Sequence, residues 1–272
     1  MKITIWGPKS SGKTTYLTMV YGIALKSQIK WIIGPGDEAS VSFIKEQINH
    51  IRVGKFPSPT IDKATYIYEI TPGNRTHTGS DEKDLIEKIF DFLQGADLTK
   101  TDQEETGTLT INFVDMPGED YLMKPLTDPL WDDLAESDGI ICLINPADTE
   151  NSFDYLFQLL YYLKIKVKES RKLIHNKLPQ YVALCLSQID QPEFREFIDK
   201  PKEIIERLEN EDMFSIEKML LQSISPDRLK IITISSVGIE CGVNNGIIEN
   251  PGKIDPINVL LPLKWFFQKM RE

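Results

Sequence analysis

Eight residues near the start of the chain have the types and the spacing of a loop that binds phosphate. They fit the pattern G-x-x-x-x-G-K-[ST] and read Gly7-Pro8-Lys9-Ser10-Ser11-Gly12-Lys13-Thr14. In such a loop, successive backbone N–H groups wrap around the phosphates of a nucleotide. The ammonium of Lys13 would reach the outer phosphates, and the hydroxyl of Thr14 would bind Mg²⁺. The pattern therefore predicts a site for a nucleoside triphosphate with its magnesium ion.

The residues on both sides of this loop predict the elements that must hold it. Residues 3–6 alternate and are rich in β-formers, which predicts a strand, whereas residues 15–26 carry an apolar helical stripe. The helix would begin at Thr15 with its N-terminus facing the phosphates, where backbone N–H groups favour anions. A glycine-rich turn without a ligand is the alternative interpretation.

A second motif follows an apolar run at residues 109–115. The run ends in Asp115, and Gly118 comes three residues later. Asp115 can hold Mg²⁺ through water, and the N–H of Gly118 can touch a γ-phosphate. The segment after it would then respond to the presence of that phosphate. A strand that ends in an ordinary turn is the alternative.

A third and a fourth motif lie at the ends of later strands. Asp190 closes the segment Ser187-Gln188-Ile189-Asp190, at the carboxyl end of a strand, where open α/β sheets bind ligands. Its carboxylate can accept hydrogen bonds from guanine N1–H and from the exocyclic amine, whereas adenine offers an acceptor at the first of these positions. Ser235 and Ser236 follow the last strand, and their backbone could meet the carbonyl oxygen of the base.

Strands and helices alternate along the rest of the chain. Strands are predicted at 64–70, 109–115, 139–145, 180–188 and 229–235, and helices at 38–53, 80–93, 152–176, 201–223 and 256–270. Asp37 would cap the first of these helices, and the helix at 201–223 would be continuous or divided near Asp212. Continuous apolar strands that alternate with helices indicate an α/β fold with a mostly parallel sheet covered on both faces.

Composition and charge exclude several classes of protein. The 272 residues carry 31 Lys and Arg against 41 Asp and Glu, a net charge of −10, which disfavours binding to nucleic acid. The longest apolar stretches, near 140–144 and 257–267, are too short or too interrupted for a membrane span. Cys142, Cys185 and Cys241 are scattered, and the first strand follows Met1 directly. These features predict reduced thiols, no signal peptide and a cytoplasmic location.

The order of these motifs resembles that of the Ras-like GTPases in the translation-factor-related class of P-loop proteins. The chain looks most like a bacterial regulatory branch that begins G-x-x-x-S-G-K-T-T-Y-L, as residues 7–17 do here. The resemblance runs from Met1 to the closing helix. It implies one Ras-like domain over residues 1–272, a P-loop NTPase three-layer fold with insertions at about 34–56 and 72–107.

The resemblance implies a role for the first two motifs. Gly12, Lys13 and Thr14 would bind phosphates and Mg²⁺, and Asp115 with Gly118 would begin a second switch segment. Lys13 and Gly118 would take part in hydrolysis.

It also implies roles for later and intervening residues. Asp190 would select guanine, and Ser235-Ser236 stand where the family carries Ser-Ala-Lys. Thr60 lies where the first-switch threonine of the family ligates Mg²⁺, although an ordinary loop threonine is the rival interpretation.

Three residues depart from the family pattern. Gln188 replaces a lysine that packs over the base, which would weaken the selectivity for guanine. Glu119 replaces the glutamine that orients water, and a carboxylate is repelled by a γ-phosphate, so slow hydrolysis is expected. Lys9 occupies a position usually held by a small residue, where it would neutralise phosphate or point to solvent.

These observations predict a cytoplasmic, Mg²⁺-dependent switch that binds GTP and GDP. A protein effector would read its state, and a GTPase-activating protein would supply a catalytic arginine. A P-loop ATPase or kinase is one alternative, and a pseudo-GTPase that binds nucleotide without turnover is another. A basic side around Lys164 and Lys168 is either a solvated helix face or a docking face for an acidic partner.

Overall fold

The computed structural model of the chain describes residues 1–24, 31–35, 37–57, 64–72, 108–115, 125–169, 173–211 and 215–272. Its strands are β1 (Lys2–Trp6), β2 (Trp31–Pro35), β3 (Ala64–Pro72), β4 (Leu109–Asp115), β5 (Gly139–Ile144), β6 (Tyr181–Leu186), β7 (Leu229–Thr233), β8 (Val243–Asn244) and β9 (Ile247–Ile248). Its α-helices are α1 (Lys13–Ala24), α2 (Glu38–Arg52), α3 (Pro129–Glu136), α4 (Thr149–Glu169), α5 (Pro201–Glu211), α6 (Ile216–Ser223) and α7 (Leu261–Lys269).

Seven strands form one mixed sheet in the order β2-β3-β4-β1-β5-β6-β7. The strands β4, β1, β5, β6 and β7 pair in parallel, whereas β3 pairs antiparallel with both β2 and β4. The prediction of an α/β fold with a mostly parallel sheet is therefore confirmed. β8 and β9 form a separate two-stranded hairpin.

Hydrophobic cores lie on both faces of the sheet. Alternate residues of each central strand face opposite sides, so that Ile5 of β1 joins one core and Trp6 joins the other. Residues of α1, α2 and α7 belong to the first core, and residues of α3, α4, α5 and α6 belong to the second. The helices therefore cover both faces, as the continuous apolar strands predict.

The start of α2 confirms a capping prediction. The carboxylate of Asp37 accepts a hydrogen bond from the backbone N–H of Ser40 at 2.7 Å, which satisfies one of the free donors of the first helical turn. The helix ends at Arg52, and Gly54 follows with a φ of 78° that an L side chain rarely adopts.

Two predicted helices are longer than the helices in the structure. The helix predicted at 152–176 spans 149–169, and a tight turn with an Ile174–Lys177 bridge follows. Positive φ angles at His175 and Asn176 are incompatible with a continued helix. The helix predicted at 256–270 spans 261–269, because Ile257 forms a bridge with Ser235 instead.

Other predictions have mixed outcomes. The segment predicted at 201–223 forms two helices, α5 and α6, which agrees with the alternative of a helix divided near Asp212. The sequence interpretation omitted α3, although Asp128 caps it and Pro129 occupies its first turn, which is a recognisable start signal. The helix predicted at 80–93 lies outside the described residues.

Two further features bear on the class of protein. Over the described ranges, no helix combines the length and the hydrophobicity that a bilayer crossing requires. All three cysteines are buried and free, and burial raises the pKa of the Cys241 thiol to about 11. The thiols are therefore protonated at neutral pH.

A tight contact at the start of β5 gives a test of the packing between the sheet and α7. A Cβ added at Gly139 would lie 2.4 Å from a ring carbon of Phe266. We expect Gly139→Ala to lower the free energy of unfolding by about 1–3 kcal/mol, because the ring has to move in a filled core. Gly252→Ala is the control, since its Cβ meets nothing within 4 Å, and it should change stability by less than about 0.5 kcal/mol. Urea denaturation of both variants measures the difference, and equal stabilities would contradict this packing.

Candidate functional site

The candidate site lies along one edge of the sheet, where the parallel strands end. Trp6 at the end of β1 pairs with Cys142, Ile144 at the end of β5 pairs with Leu186, and Leu186 pairs with Thr233 of β7. The loops that follow β1, β5, β6 and β7 therefore leave the sheet side by side. Ligands of open α/β sheets bind at such an edge.

The loop after β1 is closely packed against β5. A Cβ at Gly7 would lie 2.2 Å from the carbonyl oxygen of Leu143 and 2.7 Å from the hydroxyl of Ser11, so that only glycine fits. Gly12 has a φ of 84° and Ser10 a φ of 60°. The loop therefore makes two sharp changes of direction before α1 begins at Lys13.

The ammonium of Lys13 lies inside the curve of this loop. Lys13 is only 7% exposed, and its Nζ donates to the carbonyl oxygens of Gly7 and Pro8, each at 2.8 Å. The first turn of α1 contains no acidic residue that would neutralise its positive end. A buried cation and an unneutralised helix N-terminus therefore meet at one point, which is an arrangement suited to an anion.

The remaining residues of the loop differ in what they can contribute. Pro8 is buried and has no N–H, so that it cannot donate to a phosphate. The hydroxyl of Ser11 is buried and makes no hydrogen bond within the described ranges. Lys9 and Ser10 are exposed, Thr14 is half-buried and Thr15 is buried.

The segment after β6 is tied to the loop by hydrogen bonds. The hydroxyl of Ser187 is buried and lies 2.9 Å from the carbonyl oxygens of Ser11 and Ile144. The side-chain amide of Gln188 donates to the carbonyl oxygen of Ser10 at 2.5 Å. The structure therefore brings the first and the third sequence motifs into direct contact.

Two amide side chains that sequence reasoning missed support Gln188. Asn145, directly after β5, donates to Oε1 of Gln188 at 3.4 Å, and Gln191 donates to the same atom at 3.1 Å. Ser152 in turn donates to the carbonyl oxygen of Asn145 at 2.9 Å. Because a lysine has no acceptor, a glutamine is needed at residue 188 for this network.

The carboxylate of Asp190 is held by Ser235. The Ser235 hydroxyl donates to Oδ1 of Asp190 at 2.6 Å, and it accepts from the N–H of Gly238 at 2.8 Å. Burial raises the pKa of the Asp190 carboxyl above its ordinary value, while the hydrogen bond from Ser235 and the charge of Arg195 oppose this shift. Arg195 also donates to the backbone carbonyl of Asp190 at 2.7 Å.

The structure assigns Ser235 a different part from the one that the sequence predicts. Its N–H donates to the carbonyl oxygen of Ile257 at 3.1 Å, so this N–H is already engaged within the protein. The hydroxyl of Ser235 orients Asp190, and the next residue, Ser236, is half-buried.

The residues expected to bind Mg²⁺ are only partly described. Ile5 of β1 pairs with Phe113 of β4, so Asp115, the last residue of β4, is level with the start of the loop. A threonine hydroxyl at residue 14 and a carboxylate at residue 115 are hard oxygen donors of the kind that Mg²⁺ prefers. Thr60, Gly118 and Glu119 lie outside the described residues.

Mg²⁺ commonly takes one or two protein ligands together with phosphate oxygens and water. Accordingly, a site of this kind needs no cluster of protein carboxylates. Among the described residues, no group of three or more His, Cys, Asp or Glu side chains could hold a metal by itself. The donor set therefore fits a magnesium ion that arrives with a nucleotide.

No family model matches this chain, and no curated protein is significantly similar to it in sequence. Its function is therefore inferred from the chemistry of this edge of the sheet.

The raised pKa of Asp190 predicts that this carboxylate destabilises the ligand-free protein. A carboxyl whose pKa is higher in the folded state binds more protons there, so stability falls as the pH rises from the unfolded pKa through the folded one. Asp190→Asn removes this effect and keeps an oxygen for Ser235. We expect the variant to be more stable than the parent protein at neutral pH, and this gain to vanish as the pH falls below about 4, the ordinary pKa of an aspartate.

Urea denaturation of both proteins across this pH range measures the gain. Asp227→Asn is the control, because Asp227 belongs to a short 3₁₀ turn outside the site. A variant that is less stable than the parent protein at neutral pH, with an unchanged dependence on pH, would contradict the assignment.

Proposed function

We propose that this chain is a GTP-binding switch of the Ras-like P-loop class, with slow Mg²⁺-dependent hydrolysis, that regulates a protein partner. The observation that carries the proposal is the contact between two motifs. The loop at residues 7–14 and the segment at 187–190 meet at one edge of the sheet through the Ser187 and Gln188 hydrogen bonds. One motif suits phosphate and the other suits a purine, so a nucleotide lying along this edge would join them.

The loop supplies the phosphate half of the site. Its backbone N–H groups surround the phosphates, and the buried ammonium of Lys13 neutralises the outer ones. The N-terminus of α1 adds positive potential, because its first turn lacks acidic residues. Lys13 already bonds to two carbonyl oxygens, so the cation is positioned before the ligand arrives.

Asp190 supplies the base half of the site. Its ionised carboxylate accepts from both N1–H and the amine of guanine, while Ser236 offers a backbone donor to the carbonyl oxygen. Two charge-assisted hydrogen bonds at about 1.5–3 kcal/mol each give a preference of two or more orders of magnitude over adenine. The two hydrogen bonds from guanine would also stabilise the ionised form of Asp190, which burial disfavours.

The remaining roles concern residues that carry the chemistry. Thr14, Thr60 and Asp115 would hold Mg²⁺, which would supply charge that offsets the charge developing on the phosphate oxygens. Lys13 stabilises the same oxygens, and Glu119 or its backbone positions the attacking water. The carboxylate of Glu119 is repelled by the γ-phosphate, so turnover is slow until an activating protein contributes an arginine.

The switch itself would consist of the segments at Thr60 and Gly118. Contacts to the γ-phosphate order both segments, and hydrolysis releases them. An effector protein reads the ordered form. The Thr60 segment follows α2, which lies in the proposed insertion at about 34–56, and the Gly118 segment follows β4, a central strand of the sheet. Both segments would belong to a single α/β domain with a second insertion at about 72–107.

Competition between GTP and ATP tests the choice of base. We expect the purified chain to prefer GTP by about a hundredfold or more, and Asp190→Ala to lose most of this preference. Asp190→Asn exchanges an acceptor for a donor, so this variant should gain affinity for xanthosine triphosphate, which carries an oxygen where guanine carries its amine. The measurement is displacement of a fluorescent nucleotide from each protein.

Asp227→Asn serves again as the matched carboxylate control and should bind like the parent chain. Tighter binding of ATP than of GTP would overturn the proposal and favour an ATPase or kinase.

Hydrolysis and protease sensitivity together test the switch. We expect single-turnover GTP hydrolysis to be slow and Mg²⁺-dependent, and the GDP and GTP forms to give different patterns of limited proteolysis. Lys13→Ala removes the buried ammonium and should abolish both effects by preventing binding. Lys218→Ala, at an exposed lysine of α6, is the control and should leave both unchanged. Complete inertness with identical proteolysis of the two forms would favour a pseudo-GTPase scaffold.

A further inference from the structure

The helix α4 carries an exposed aromatic pair on the side that faces away from the sheet. Phe157 is 55% exposed and Tyr161 is 54% exposed, although large aromatic side chains usually contribute to a core. Their rings are nearly parallel, with an interplanar angle of 7° and centroids 6.2 Å apart. The two residues are four positions apart, so they lie on the same face of the helix.

This pair is supported by aromatic residues beneath it. The ring of Tyr161 contacts that of Tyr162, with centroids 5.5 Å apart, and Tyr162 packs edge-on against the buried Trp131 at 5.0 Å. The inner face of the helix is anchored in the core through buried residues at 152, 155, 156, 159, 160, 163 and 167. The exposed rings therefore belong to a fixed surface, which is a property of docking faces.

The charges on the same face have a definite order. Asp154 lies seven residues before Tyr161, and Lys168 lies seven residues after it, and both are exposed. Seven residues make almost two helical turns, or about 10.5 Å, so all three residues share one side of the helix. Within the described ranges, no ion pair involves Asp154 or Lys168. The face thus runs from an acid through an aromatic centre to a base, and the half-buried Lys164 lies between Tyr161 and Lys168 on the same side.

We propose that this face of α4 binds the same face of a second copy of the chain, with the two helices antiparallel and centred on Tyr161. A two-fold axis at Tyr161 pairs residues whose numbers are equally distant from 161. Asp154 then meets Lys168 of the second copy, and Phe157 meets its Ile165. Each ion pair occurs twice by symmetry, and the aromatic rings fill the centre.

The charge order distinguishes a second copy from an acidic partner protein. An acidic partner would be attracted to Lys164 and Lys168 but repelled by Asp154. An antiparallel copy pairs Asp154 with Lys168 and places Lys164 opposite the neutral Gln158, so that no like charges meet. The net charge of −10 on each chain opposes association. A contact through one helix is also small for a stable dimer, so a dissociation constant on the order of 10 µM is expected.

Sedimentation velocity of the full chain between about 1 and 200 µM tests the proposal, since this range brackets the expected constant. We expect a monomer–dimer equilibrium, and Tyr161→Glu should weaken it by about tenfold or more. Ile247→Glu is the matched control, because Ile247 is 57% exposed on the β8–β9 hairpin. It should leave the equilibrium unchanged.

Charge exchange provides a second, independent measurement. Asp154→Lys and Lys168→Asp should each weaken the dimer severalfold, because each places like charges opposite one another twice. The double variant restores both pairs and should recover the parent affinity. The four substituted positions, 154, 161, 168 and 247, are all exposed, and thermal unfolding of every variant verifies that it folds.

Several results would overturn the proposal. The first is a parent chain that stays monomeric throughout the concentration range, and the second is a dimer whose affinity is unchanged by Tyr161→Glu. The third is a double variant that dimerises no more tightly than the single variant with the lower affinity. Binding of nucleotide does not enter any of these outcomes, so they are independent of the proposed switch function.

Discussion

The parallel register of four neighbouring strands is the constraint on which the site depends. β1, β5, β6 and β7 run in the same direction, so that the loops after them leave from a single edge. The first loop can approach β5 only because Gly7 lacks a Cβ that would collide with the carbonyl of Leu143. That close approach places the Ser11 carbonyl within reach of the Ser187 hydroxyl. Sheet register, one glycine and one hydroxyl together therefore define the geometry of the edge.

The same edge holds two ionisable groups that are costly to bury. Lys13 is 7% exposed, and burial opposes ionisation of Asp190. Backbone carbonyls and a serine hydroxyl compensate them in part. Desolvated charges weaken a fold unless a partner completes them, and binding sites commonly accept this loss of stability. The buried ammonium of Lys13 and the carboxylate of Asp190 are the two charges that the phosphate and the base of the proposed GTP would complete.

The sequence was most informative where a local pattern determines local structure. Glycine spacing predicted the loop, Asp37 predicted the cap of α2, and apolar runs predicted the parallel strands. Long-range contacts left no such signal, since Asn145 and Gln188 are 43 positions apart and meet only through the register of β5 and β6. Two helices were predicted to extend too far, because the turn at 174–177 follows one of them and the Ser235–Ile257 bridge precedes the other. The functional roles of all the site residues stay predictions, and Thr60, Gly118 and Glu119 lie outside the described residues.

The strand β2 has a consequence for how other proteins can approach the sheet. It is the terminal strand beside β3, and among the described residues no strand pairs with its outer side. It ends in Pro35, which has no N–H to offer to a neighbouring chain. An extended peptide could add to this side of the sheet only by pairing with β2, because β3 already pairs with β2 and β4. Residue 35 of β2 would offer it no backbone N–H. A chain that paired with this border would therefore gain no hydrogen bond from the nitrogen of residue 35.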